Sequence, residues 1–231
     1  GGEIRVDAPE FAYPDEVRGS IHLKRELKPE DFRLVVSSNG RVTTNVIGVI
    51  ENQAPTEHLQ LEVDTREGQI EANPDADLAK VALVERHRGN GTVQLGLVRG
   101  FGMINGCAFG STIAHDSHHM LVVGTDDGDM ALAANELARV GGGQVVVNSG
   151  EVVALVELPI AGLMSDEPAQ VVAGKADRLL EAYRECGCTL NNANMQLSLL
   201  ALVVIPELRI SDLGLVDVNR FEVVPLIAED K

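Results

Sequence analysis

The sequence predicts an α+β fold in which helices pack on a mainly antiparallel sheet, preceded by a small partial β-sandwich segment. Short runs of aliphatic and β-branched residues outnumber the segments with helical spacing. Most neighbouring runs are joined by short turns rich in Gly and Asn, which is typical of antiparallel strands. Aromatic residues make up only 3% of the chain and Trp is absent. The core is therefore expected to consist of aliphatic side chains.

Length and composition narrow the functional classes. A chain of 231 residues with 45% hydrophobic residues is long enough for one large domain or two small ones and argues against disorder. The formal charge of −16 argues against nucleic acid or an anionic membrane surface as a main partner, because both require a cationic face. No apolar run reaches the roughly 18 residues that could span a bilayer.

The three cysteines are an odd number and too few for a disulfide framework, which favours a reducing, cytoplasmic setting. The chain begins with Gly1 and has no initiator Met. We therefore expect it to be a fragment of a longer protein.

The first third of the chain reads as β-structure. Ser20 to Leu27 alternates partially and is predicted as a strand. Phe32 to Val36 and Arg41 to Ile50 are two further β-rich runs, separated by a turn that contains Asn39-Gly40. Since Asn-Gly between apolar runs is a strong hairpin signal, these two runs are predicted to pair.

A boundary is predicted after this region. Leu59 to Val63 alternates between apolar and polar residues, as a half-buried strand does. The polar, proline-containing stretch at 71–77 then reads as a loop. We expect residues 1–77 to form a partial β domain and residues 78–231 to form the α+β domain.

The remaining strands are predicted from apolar runs bounded by turn residues. They are Leu78 to Val84, Val93 to Val98, a run of small and apolar residues beginning near Phe101, Met120 to Val123, Gln144 to Val147, Glu151 to Leu158, Leu197 to Ile205, Gly214 to Val218 and Phe221 to Ile227.

Two helices are predicted between these strands. The first begins at Asp126-Asp127, which offer N-cap chemistry, and ends at Gly141-Gly142-Gly143. The second opens with Ser165-Asp166-Glu167-Pro168, with Pro in its first turn, carries an apolar stripe from Val172 to Tyr183 and ends at Gly187. Because the three glycines follow the helix, they favour a C-cap over a phosphate loop.

Several residues with potential chemistry have simpler interpretations. Cys186 and Cys188 flank a glycine, but no second cysteine pair completes a zinc site, so two buried, inert thiols are expected. His22 and His58 occur singly and are interpreted as ordinary surface histidines.

The stretch His115-Asp116-Ser117-His118-His119 is the main candidate site, because it places polar groups between two apolar strands. Such groups are costly to bury unless they are paired or used. On a turn, His115 and His118 could converge, with Asp116 orienting them and with His87 or Glu85 arriving from a neighbouring strand end. A metal or base site and a hydrogen-bonded polar turn both remain open. The sequence contains neither a nucleophile elbow nor a His-x-His pair.

Several uncommon strings occur in a fixed order. They are Val84-Glu85-Arg86-His87, Ala114-His115-Asp116-Ser117-His118, Val122-Val123-Gly124-Thr125, Asp129-Met130-Ala131-Leu132-Ala133, the run from Leu158 to Pro168, and Val204-Ile205-Pro206-Glu207-Leu208. These strings resemble the C-terminal domain of the adenine deaminase family. The resemblance runs from about Ile21 to Leu226 and is dense from Lys80 onwards. His119 departs from the Asn that family members more often carry.

The resemblance implies a reaction and a missing partner. Adenine deaminases convert adenine to hypoxanthine and ammonia on a (β/α)8 barrel that holds two divalent metals, manganese or iron. The metals activate a bridging water, and a barrel carboxylate carries its proton to the leaving ammonia. A barrel needs about 250 residues, so the metal ligands are expected outside this chain. The implied partners are adenine, the barrel segment and further copies in a homo-oligomer.

Within this chain, residue type and position predict Glu85, His87, His115, Asp116 and His118 as catalytic residues in a cluster near the barrel mouth. They would close the site over the purine or orient groups already in it. The competing hypothesis is a free-standing, non-catalytic binding or oligomerisation module. A third is an independent metal site formed by His87, His115 and His118.

Overall fold

A computed structural model of the chain describes residues 11–37 and 40–228. The helices are α1 Asp15–Arg18, α2 Asp127–Val140, α3 Ala169–Glu185 and α4 Ala193–Leu199. The strands are β1 Leu34–Val35, β2 Gly40–Val49, β3 Thr56–Thr65, β4 Gln69–Ile70, β5 Leu78–Val84, β6 Val93–Arg99, β7 Cys107–Ser111, β8 Met120–Gly124, β9 Gly143–Asn148, β10 Glu151–Glu157, β11 Leu208–Ser211, β12 Gly214–Asp217 and β13 Glu222–Val224.

Eight strands form the main sheet in the order β10-β9-β7-β8-β5-β6-β2-β3. All its neighbouring pairs are antiparallel except β2 and β6. β5 lies in the middle and is buried along its whole length, which suits a strand whose residues are all apolar except Lys80. Together with the helices and a three-stranded sheet, β11-β12-β13, this arrangement confirms the predicted α+β class.

The two faces of the main sheet are covered differently. On one face, α2 packs with Met130, Ala134 and Leu137 against alternate residues of β5, β7, β8 and β9. On the other face, α3, α4 and the three-stranded sheet enclose the second core cluster. None of the helices in the described ranges has the length and apolar character needed to cross a membrane.

The helix ends follow the predicted cap chemistry. The Asp126 side chain accepts a hydrogen bond from the backbone N–H of Asp129 at 3.0 Å, which caps α2. Gly141 ends the same helix with a left-handed φ of 84°. Cys186 and Cys188 are free and buried beside the C-terminal end of α3.

The predicted hairpin between Phe32–Val36 and Arg41–Ile50 is wrong. Instead, β1 pairs with β4, with Leu34 opposite Ile70, while β2 pairs with β3. The turn residues Ser38 and Asn39 lie outside the described part of the chain. Leu34 and Ile70 share a core cluster under β2 and β3, so tertiary burial decides the pairing rather than the local turn signal.

Two further predicted strands are corrected. Ser20 to Leu27 forms no strand; the backbone of its last residue exchanges two hydrogen bonds with the Asn135 side chain on α2. Leu197 to Ile205 forms the end of α4 followed by turns. Its buried apolar residues, Leu197, Leu200 and Ala201, have helical spacing. A short apolar run is ambiguous between the two structures.

The strands on either side of residue 77 share one sheet. β2 and β3 precede this position, and β2 pairs with β6, which follows it. The division into residues 1–77 and 78–231 stays a prediction.

Candidate functional site

The candidate site lies at one end of the main sheet, on the turn between β7 and β8. β8 pairs with β5, with Met120 opposite Val84. Because β5 ends at Val84, the residues that follow it run beside those that precede Met120. This register brings Glu85 and His87 next to the turn that carries the other histidines.

Two imidazole rings are in contact where β5 and β8 meet. The ring centroids of His87 and His119 are 4.7 Å apart, and Nε2 of His87 lies 2.7 Å from the carbonyl oxygen of Ser117. A carbonyl oxygen only accepts, so this nitrogen donates. His119 is 8% exposed, and its Nδ1 has no hydrogen-bond partner in the described part of the chain. Burial, followed by the charge of His87, lowers the pKa of His119.

A second pair of rings lies on the turn itself. The centroids of His115 and His118 are 5.3 Å apart. Nδ1 of His118 lies 3.1 Å from the backbone N–H of Ala114 and accepts its hydrogen, so this nitrogen is unprotonated. Burial, followed by the charges of His115 and Arg86, lowers the pKa of His118. The His118 ring is therefore neutral near pH 7.

Glu85 has a different environment from the one expected of a proton carrier. Its carboxylate, 3% exposed, accepts the backbone N–H groups of His87, Arg88 and Asn90 at 2.6, 2.7 and 3.1 Å. Burial by itself would raise the pKa of Glu85, but these hydrogen bonds outweigh it and the pKa is lowered. The carboxylate is thus occupied in holding the loop after β5.

The other two expected residues are placed less tightly. The backbone N–H of His115 donates to the carbonyl oxygen of Ser198 on α4 at 3.0 Å, which ties the turn to the helix. Asp116 is exposed and its carboxylate makes no hydrogen bond with the residues that the structure describes. The structure thus brings His115, Asp116 and His118 together on one turn and places His87 and Glu85 at its base. Their catalytic role stays a prediction.

Two residues of the site were missed from the sequence. His119 was included in the candidate stretch but not among the expected catalytic residues, although it contacts His87. Arg86 follows a buried strand and is 1% exposed, with its guanidinium under the histidine turn. A charged residue directly after seven buried positions was the available signal, because such a residue needs buried partners.

The described residues do not offer a metal site. No group of three or more His, Cys, Asp or Glu side chains within residues 11–37 and 40–228 is placed to hold a metal ion. Contacts between imidazole rings alone do not make a ligand set. The independent metal site of His87, His115 and His118 therefore lacks geometric support.

A wide groove lies elsewhere on the described part of the chain. It has a volume of about 1050 Å³ and runs between the second half of β3, the segment that includes Asn73 and Asp75, and the loop around Met103. None of the five expected site residues lines it. The polar contacts of the histidine turn, and not the size of a cavity, therefore define the candidate site.

Comparisons with known proteins were consistent across the chain. Residues 53–222 match the adenine deaminase C-terminal domain family. An "Adenine deaminase" of Roseobacter denitrificans is 57% identical over 227 residues, which are 98% of this chain and 38% of that relative. "Adenine deaminase 3" of Rhizobium meliloti is 54% identical over 96% of the chain, and an "Adenine deaminase" of Moorella thermoacetica is 51% identical over 98%. The chain spans less than two fifths of the length of these relatives.

Proposed function

The chain belongs to the adenine deaminase C-terminal domain family, and from this premise we propose that it supports the active site of an adenine deaminase whose catalytic barrel lies outside it. The proposed reaction of the whole protein is hydrolytic deamination of adenine to hypoxanthine and ammonia. The match to relatives over 98% of this chain carries the proposal. Those relatives are more than twice as long, which leaves room for a separate catalytic part.

The metal requirement of the proposed reaction is assigned to residues outside the chain. Two divalent ions, manganese or iron, would supply an activated water in the barrel. The residues of this chain that the structure describes provide no ligand set for them. The residues of this chain are therefore proposed to contact the substrate and to orient groups in the catalytic site.

The histidine turn suits contact with an uncharged purine. Nδ1 of His118 is an acceptor, so its neutral ring carries a hydrogen on Nε2 and can donate there. His115 and Asp116 lie beside it on the same turn, and Asp116 is exposed. A neutral ring donor beside a carboxylate acceptor matches the ring nitrogens and the amino group of adenine. We propose that this turn closes the catalytic site over the base.

The strand β3 lies at the edge of the main sheet, and part of its outer side is open to pairing with another segment. On the side away from β2, the N–H of Thr56 donates to the Pro206 carbonyl and the N–H of His58 donates to the Glu207 carboxylate. Because a strand alternates, the backbone groups of Gln60, Glu62 and Asp64 point to the same outer edge. We propose that the remainder of the whole protein covers this edge.

The role of the turn is tested with the double variant His115→Ala/His118→Ala in the whole protein. We expect kcat/KM for adenine to fall at least about tenfold while the unfolding midpoint stays close to that of the parent, because both rings are partly exposed. His22→Ala, outside the turn, serves as the matched control. Unchanged activity and stability in the double variant would overturn the proposed role.

A further inference from the structure

Arg86 joins three distant parts of the chain under the histidine turn. Its Nε donates to the carbonyl oxygen of His118 at 2.5 Å. One terminal nitrogen lies 3.2 Å from the Ser20 carbonyl and 3.3 Å from its Oγ, and the other lies 3.1 Å from the carbonyl of Ala161. The guanidinium therefore bonds at once to Ser20 in the segment after α1, to the histidine turn and to the loop after β10.

This guanidinium is held without a carboxylate. Among the described residues, its hydrogen-bond partners are three backbone carbonyls and one hydroxyl. Burial lowers the pKa of Arg86 to about 10, so the group stays protonated at neutral pH. A planar fork with five N–H donors can bind carbonyls in several directions, whereas an ammonium group is a single point. The position accordingly requires Arg geometry as well as positive charge.

The bond to His118 acts on a residue with an unusual backbone. His118 has a φ of 50°, in the left-handed region, and its N–H donates to the Ala114 carbonyl at 2.6 Å. Its ring nitrogen accepts from the N–H of Ala114 at the same time. With Arg86 holding the carbonyl, the backbone N–H, the carbonyl and Nδ1 of His118 are all bonded, so the ring is kept beside His115.

Gly162 leaves the space that the guanidinium occupies. A Cβ at this position would lie 2.9 and 3.0 Å from the two terminal nitrogens of Arg86. Gly162 also has a φ of 71°, which side chains rarely adopt. The loop after β10 is thus shaped around Arg86.

We propose that Arg86 is a positioning residue that holds His115 and His118 in the orientation in which the turn meets the substrate. The inference rests on the proposed function of that turn, since Arg86 itself lies beneath the surface. The alternative is that Arg86 only stabilises the fold.

Arg209 provides a matched control for this alternative. It is also fully buried, and its guanidinium donates to the carbonyls of Ala54, Leu199, Ile205 and Pro206. Burial lowers its pKa to about 10 as well. Its partners lie around the end of α4 and none of them belongs to the turn 114–119. Arg86→Lys and Arg209→Lys therefore each remove a buried guanidinium, one under the histidine turn and the other near the end of α4.

The test compares these two variants by histidine signals and by activity. In the 231-residue chain, the imidazole carbon-bound proton signals of His115 and His118, assigned with single histidine variants, should move in Arg86→Lys and stay in place in Arg209→Lys. In the whole protein, both variants should lower the unfolding midpoint. Per folded molecule, only Arg86→Lys should lower kcat/KM for adenine, by at least about tenfold.

A gentler pair covers the case in which Arg86→Lys fails to fold. Gly162→Ala places a methyl group against the guanidinium, whereas Gly150→Ala introduces the same change at a φ of 80° with nothing within 4 Å. The histidine signals and kcat/KM should change in Gly162→Ala alone. Equal effects of the two alanine variants would contradict the inference.

The two readouts separate the inference from the proposed function. Histidine signals that do not move in either Arg86→Lys or Gly162→Ala would overturn the positioning role, whatever the activity. Signals that move while kcat/KM stays constant would overturn the proposed role of the turn, and with it the link from Arg86 to the substrate. Moved signals together with lost activity support both.

Discussion

Glu85 and His119 are buried polar residues at the same end of the sheet, but only one of them is satisfied. The Glu85 carboxylate accepts three backbone N–H groups, whereas Nδ1 of His119 has no partner among the described residues. A satisfied buried group stabilises the fold, and an unsatisfied one costs free energy. Substitution should therefore be costly at Glu85, whereas the unmet bonding of His119 should appear in the dependence of stability on pH.

Replacing the Glu85 carboxylate should destabilise the chain. In Glu85→Gln one oxygen becomes an NH2 group that faces backbone donors, so at least one of the charge-assisted bonds is lost. We expect the free energy of unfolding to fall by about 2 kcal/mol. Urea unfolding measures the change. The control, Glu57→Gln at an exposed position of β3, should change the free energy of unfolding by less than about 0.5 kcal/mol. A loss no larger than that of the control would contradict the loop-holding role.

The stability of the chain should fall as the pH drops through the ordinary histidine range. Because burial lowers the pKa of His119 in the folded state, the unfolded chain takes up its proton at a higher pH. Protonation therefore favours unfolding, by up to about 1.4 kcal/mol for each pH unit between the two pKa values. The variant His119→Asn should show a smaller loss between pH 7.5 and 5.5 in urea unfolding. An identical pH dependence would refute this assignment.

The place of the histidine turn could be predicted from the sequence, but its support could not. The polar run between two apolar strands marks the turn, and the strand ending before Glu85 indicates a neighbour. The bonds of Arg86 to Ser20, His118 and Ala161 join segments up to 75 residues apart. No local pattern encodes contacts of that kind, because they arise only when the segments have folded together.

At the scale of secondary structure elements, the two long helices α2 and α3 were predicted, whereas the two-residue strand β1 and the short helix α4 were not. α2 has an N-cap acid, a buried stripe and a terminal glycine, and these local signals agree with one another. β1 has two residues, and its pairing with β4 depends on burying Leu34 and Ile70 together. The apolar run that begins at Leu197 carries no period strong enough to separate helix from strand.

The N-cap of α2 should contribute measurably to stability. Asp126→Ala removes the acceptor for the backbone N–H of Asp129, which lies at 3.0 Å. We expect the free energy of unfolding to fall by about 1 kcal/mol. Asp177→Ala, an exposed position within α3, is the control and should be close to neutral. Equal values for the two variants would show that the cap is not needed.

At the scale of the whole molecule, the described residues form a well-covered core but no set of metal ligands. The main sheet is covered on both faces, so the chain has what a folded domain needs. Its histidine turn has a neutral His118 ring and an exposed Asp116 carboxylate, but the described residues hold no metal ligand set. The relatives that match it are more than twice its length. These observations support the proposal that the chain contributes to the catalytic site of a longer protein.

The most direct test is an assay of ammonia release from adenine by the 231-residue chain with added manganese or iron. We expect no turnover by the chain alone, and turnover when it is co-expressed with the barrel portion of an adenine deaminase. A barrel portion produced without this chain is the matched control and should be much less active. Clear metal-dependent turnover by the isolated chain would contradict the account, because the histidine turn would then form a catalytic site of its own.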